Sequence, residues 1–166
     1  MQITLKNVKH YAAMSEETNC FEATLYIDGK KVCEVSNHGQ GGPNEYSDWA
    51  VARRIDEYAK TLPAEDVTFG DKTVTIYQSA DSLVDNAFEA AMKAKDEAKF
   101  RKMAQKDYTT RVCFERDGAM RTTKTTTPET AKVWMQSAVA KGESPLNLLP
   151  FDEFFATWMR LVVKTA

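Results

Sequence analysis

The stretch VSNHGQGGPNEYSDW, residues 35–49, gathers one of the two histidines and three of the seven glycines of the chain. Two chemistries suit these residue types. A strand, a glycine loop and a helix start, in that order, can present backbone N–H groups to an anion, because glycine permits close approach and a helix N-terminus carries partial positive charge. His38 can exchange a proton near neutral pH, with Glu34, Glu45 and Asp48 close enough in sequence to orient it.

The pattern limits both. It matches neither G-x-x-x-x-G-K-[ST] nor G-x-G-x-x-G, it has no lysine to reach a phosphate, and Pro43 follows the last glycine. What remains is a polar lining for a small nucleotide-like ligand: Asn37, His38, Gln40 and Asn44 as donors, Gly39, Gly41 and Gly42 as open backbone, Tyr46 and Trp49 at the flank. The competing reading is a long turn, in which the glycines supply positive φ, Asn37 bends the strand end and Asn44 caps the next helix. Composition leaves both open. Ser36 and Ser47 are nucleophile candidates by proximity alone, and Cys33 is expected to face a sheet, so binding is expected over catalysis. In the enzymatic alternative His38 is the general acid or base.

Other candidate residues carry less. His10 ends a strand with no metal-ligand spacing around it, and Cys20, Cys33 and Cys113 lie in apolar runs without a C-x-x-C pair. Neither a metal nor a cofactor is expected, and the cysteines read as small buried hydrophobes. The lysines and Arg101 between Lys93 and Lys106 are interspersed with Asp96 and Glu97, the pattern of a solvated helix face, so nucleic acid is not an expected partner. Ser15 to Thr18 has the shape of a capping box but leads into a strand, which makes it a polar turn. In the last helical segment Phe151, Phe154, Phe155 and Trp158 share one broad face, either core or an interface to a partner or second copy.

The elements that must position these residues emerge from periodicity. Phe21, Ala23, Leu25 and Ile27 alternate with polar residues, Asp28-Gly29 supplies a two-residue turn, and Val32 to Val35 returns, giving a hairpin. Val51, Ile55, Tyr58 and Leu62 fall at helical spacing, predicting a helix from about 44 to 62 closed by Pro63. A short hairpin around Gly70-Asp71, a long helix over roughly 80–106 and a second Asp-Gly hairpin at Asp117-Gly118 come next. Thr127-Pro128-Glu129 then opens a helix to about Lys141, and a final helix begins at Phe151. The expected class is α+β, an antiparallel sheet built from hairpins with about four helices packed on it.

With 166 residues the chain fits one domain, 1–166, inside which segments 21–62 and 108–142 share a strand, Asp-Gly turn, strand, loop, helix plan that either a duplication or two ordinary hairpin-helix units would give. Its formal net charge of -2 excludes a strongly basic nucleic-acid footprint. A signal-peptide core and an apolar run of spanning length are missing, so a cytoplasmic protein with no membrane contact is expected.

The segment SEETNCFEATLYIDGKKVCEVSNHGQGG resembles the N-terminal part of small uncharacterised proteins of phages and bacterial mobile elements, over roughly residues 1–60. That resemblance implies no catalytic residues. It implies a role: a non-enzymatic binding protein that blocks a host factor, including a defence factor, or sequesters a small nucleotide-like signal.

Overall fold

The computed structural model describes residues 1–163, with Phe69 by its backbone alone. The class is α+β, and the described residues divide into two compact units, 1–94 and 95–163. The two hairpin-helix segments read from the sequence fall one in each unit. Where one sheet was expected, the strands among the described residues form three: one of four strands and two of two strands.

In the first unit β1 (Ile3–His10), β2 (Phe21–Ile27), β3 (Lys30–Asn37) and β4 (Glu45–Tyr46) make an antiparallel sheet in sequence order. The period of two sorts its faces. Leu5, Leu25 and Cys33 stand in one row and Ala23, Val35 and Tyr46 in the next, all buried, while Glu22, Ser36 and Glu45 form a row on the opposite side. Asp28 and Gly29 both take positive φ, 49° and 78°, which is the type I′ turn that Asp-Gly favours. Helix α1 (Trp49–Ala59) and the start of α2 (Ala80–Thr110) close the core through Val51, Ile55, Val84 and Phe88.

Helix α1 starts five residues later than the spacing predicts. Asn44 is not its cap: Glu45 and Tyr46 extend the sheet as β4, and the Asp48 carboxylate accepts from the Ala50 N–H at 2.8 Å. Between α1 and α2, β5 (Glu65–Phe69) and β6 (Lys72–Ile76) form a separate ribbon.

In the second unit the remainder of α2 is followed by β7 (Cys113–Arg116), β8 (Ala119–Thr122), α3 (Pro128–Ala140) and α4 (Phe151–Val162). Thr127 caps α3 as expected, its hydroxyl accepting from Thr130 N–H. Phe154, Phe155 and Trp158 of α4 are buried in a core with Ala104 and Cys113, and Trp158 Nε1 donates to Asp107 at 3.0 Å. That burial corrects the interface alternative for this face. The aromatics fill the interior of their own unit, with Phe151 half-buried beside Tyr108, ring centroids 5.4 Å apart. All three cysteines are buried and free.

Candidate functional site

The glycine loop leaves β3 at Asn37, and the Asn37 side chain organises it. Its Oδ1 accepts from Thr18 Oγ1 and from the Gly39 N–H, both at 2.8 Å, and its Nδ2 donates to the Gly42 carbonyl and to Asn44 Oδ1, both at 3.0 Å. Asn44 is buried in turn. Its N–H donates to Asp81 at 3.2 Å and its Nδ2 to Asp85 at 2.9 Å, which fastens the loop to the first turns of α2. With these bonds the two amides are committed to holding the loop together, and little of their capacity is left for a ligand.

Gly39 is held from its other side. Its carbonyl oxygen accepts from the N–H groups of Glu16, Glu17 and Thr18 at 3.0, 3.0 and 3.3 Å. With φ at 84° and a Cβ position that would collide with the Met14 carbonyl, only glycine fits there. Gly42 has open space around it. The loop is therefore chiefly a structural turn, and its anchors are Thr18, which the sequence marks only as the end of a polar turn, and Asp81 and Asp85, which it does not single out. Nothing local in the sequence links Asn37 to Thr18 or Asn44 to Asp85, because both contacts are made by folding.

A cleft of about 560 Å³ opens beside this turn. The solvent-facing positions of β2, β3 and β4 contribute Glu22, Glu34, Ser36 and Glu45, joined by His38 and Ser47, and Tyr11, Met14 and Cys20 add to the lining. Of the nine residues expected around a ligand, Asn37, His38 and Tyr46 line it. Gly39, Gln40, Gly41, Gly42, Asn44 and Trp49 do not, and Trp49 stands out in solvent with its ring 6.4 Å from that of Tyr46.

His38 Nε2 lies 3.3 Å from Glu45 Oε2, the geometry of an oriented imidazole. Both side chains are more than half exposed, 72% and 61%, so water screens the pair and the dry surroundings that sharpen acid–base catalysis are missing. The neighbouring groups are poor nucleophiles. Burial pushes the Cys33 thiol above its ordinary range, and the Ser47 hydroxyl accepts from the Glu34 N–H at 3.0 Å. Burial, with Asp81 beside it, likewise raises the Tyr46 phenol, which donates to Asp81 at 3.3 Å and stays protonated.

The carboxylates of the cleft are loosely paired. Lys9 Nζ is 3.2 Å from Glu22 and Lys31 Nζ 2.7 Å from Glu34, all with exposed side chains, and Lys31 holds Glu34 below the usual carboxylate range. Among the described residues there is no group of three or more side chains placed to hold a metal, and no helix is long and apolar enough to cross a membrane. His10 packs edge-on against Phe88 with ring centroids 5.3 Å apart and its Nε2 3.3 Å from Ser15 Oγ. No protein-family model, curated protein or solved structure matches this chain.

Proposed function

We propose that the chain is a non-enzymatic binding protein that occupies a surface of a partner protein, with the cleft beside the glycine turn receiving a basic side chain of that partner. The observation that supports it most is the lining: Glu22, Glu34 and Glu45 bring three carboxylates into one open cleft. A nucleotide would set its phosphates against them. That disfavours the nucleotide-like ligand and favours an amine or guanidinium. The present partners of these carboxylates are solvated and screened by water, so an incoming cation replaces them at small cost. A role as a phage or mobile-element accessory protein that blocks a host factor is consistent with this chemistry.

The test is an amide-resolved NMR titration with an arginine- and lysine-rich peptide, and separately with ADP. Peptide-induced shifts at Glu22, Ser36 and Glu45, lost in the Glu22→Gln/Glu45→Gln double variant, are the expected result. Saturable shifts with ADP and none with the peptide would reverse the assignment. Turnover of a substrate that disappears in His38→Ala would replace binding with catalysis.

A further inference from the structure

The ribbon β5–β6 has two unlike faces. Its register sets Glu65 against Ile76, Asp66 against Thr75, Val67 against Val74 and Thr68 against Thr73. On one side the polar groups satisfy each other: Thr75 Oγ1 donates to Asp66 at 2.6 Å, and the Thr68 and Thr73 hydroxyls lie 3.2 Å apart. The other side carries Val67, Val74 and Ile76, with Glu65 and Lys72 at opposite corners. Val74 and Ile76 are 50% and 44% exposed, and the adjoining Tyr77 is 77% exposed. A two-stranded hairpin alone is marginally stable in water, and its bare edges are templates for pairing.

We propose that β6 is a self-pairing edge, along which two copies of this chain join antiparallel into a four-stranded sheet. β6 is exposed along its whole length, while Val67 of β5 is half-buried, so β6 is the reachable edge. The residues flanking the two-residue turn, Phe69 and Lys72, form a hydrogen-bonded pair, and alternation then makes Val67 with Val74 and Glu65 with Ile76 bonded pairs as well. The N–H and C=O groups of Thr73 and Thr75 are left pointing to the free edge.

A two-fold axis at Val74 uses those groups completely. Thr73 of one copy meets Thr75 of the other, twice, and Val74 faces itself in the non-bonded position between them. The row through the axis becomes Val67, Val74, Val74, Val67, an apolar band across four strands. In the rows beside it Lys72 lies next to Ile76 of the second copy and one strand from its Glu65, close enough for a lysine to reach over. No like charges meet. This complementarity of a segment with itself selects a second copy over an unrelated partner, and it is independent of the cleft and of what the cleft binds.

Sedimentation equilibrium of the full chain tests it, with thermal melting alongside. The expected result is a reversible two-copy species whose dissociation constant rises at least about tenfold in Thr73→Pro, at a melting temperature little changed, since that proline removes an outward N–H and an exposed hydroxyl contact with Thr68 but no bond of the β5–β6 ladder. Lys72→Glu should weaken pairing, and Lys72→Glu with Glu65→Lys should restore it. Should Thr73→Pro disturb the ribbon itself, Val74→Cys decides: mild oxidation should give a covalent pair, while Thr68→Cys gives none. A single-copy mass at every concentration, or a two-copy mass that survives Thr73→Pro with no cross-link at position 74, would overturn the proposal.

Discussion

The two Asp-Gly hairpins of this chain begin alike and end differently. Asp28-Gly29 and Asp117-Gly118 both adopt positive φ at both turn residues, 49° and 78° in the first and 54° and 71° in the second. Yet β2–β3 becomes the middle of a four-stranded sheet with one face buried, whereas β7–β8 stays two-stranded, with Phe114 and Met120 only half-buried. The difference lies outside the turns. β1 and β4 flank the first hairpin, while the second is braced by side chains from elsewhere: Arg160 of α4 grips Glu115 through two hydrogen bonds of 3.0 and 2.7 Å, and Asn147 Oδ1 accepts from Cys113 N–H at 2.7 Å. Identical local chemistry can thus feed a sheet or stop at a ribbon, according to what distant segments supply.

Core truncation should show this contrast most strongly. Leu25 is fully buried between β1 and β3, and Leu25→Ala should cost about 2–5 kcal/mol in urea unfolding, while Met120→Ala on the second hairpin should cost less than half as much. Equal losses would mean that Met120 is packed against its core as tightly as Leu25 is against its own. Next comes the pinning of each hairpin. Gly39→Ala should cost about 2 kcal/mol or more, from left-handed strain plus the collision with Met14, with Gly42→Ala nearly silent. Asn147→Ala strands Cys113 N–H and the carbonyls of Tyr108 and Arg111, and should cost about 1–3 kcal/mol.

The turns themselves should behave identically. Gly29→Ala and Gly118→Ala each force a methyl into the left-handed region with open space around it, for about 1 kcal/mol apiece. A difference well beyond that would show that sheet context feeds back on turn geometry. The smallest effect concerns the anchor on α2. Burial, together with nearby Asp81 and Glu89, holds the Asp85 carboxyl above its ordinary range against the opposing Asn44 hydrogen bond. Its protonation therefore favours the folded state: the contribution is present below the unfolded pKa, about 3.9, and lost as pH rises through the folded value. Asp85→Asn should slightly raise the melting temperature at pH 7, with the gain shrinking toward pH 4.

Features encoded within a few residues are legible in the sequence. The alternation of Phe21 to Ile27, the two Asp-Gly turns and the Thr127-Pro128 helix start each declare themselves through one turn or one period. The start of α1 is not legible in this way, because Asn44 and Asp48 are both good caps, and only pairing of Tyr46 with Val35 across the sheet chooses between them. The cleft is less legible still. His38 and the glycines mark its neighbourhood, but Glu22, Glu34 and Glu45 converge only because strand register places Glu22, Ser36 and Glu45 abreast, with Glu34 nearby. Register of that kind depends on partners well outside any local window.

The Gly39 carbonyl, held by three successive N–H groups, inverts the usual picture of a glycine loop. Consecutive amides that converge on one point form a nest, the same concavity that elsewhere cradles a phosphate oxygen. Here residues 16–18 are the host and the glycine loop is the guest. The chain carries its own anion mimic, permanently docked, so the hollow that would attract a phosphate is filled at the moment of folding. The amides of Glu16, Glu17 and Thr18 should accordingly resist hydrogen exchange together, although they belong to no helix or strand, and should be released together when the guest withdraws.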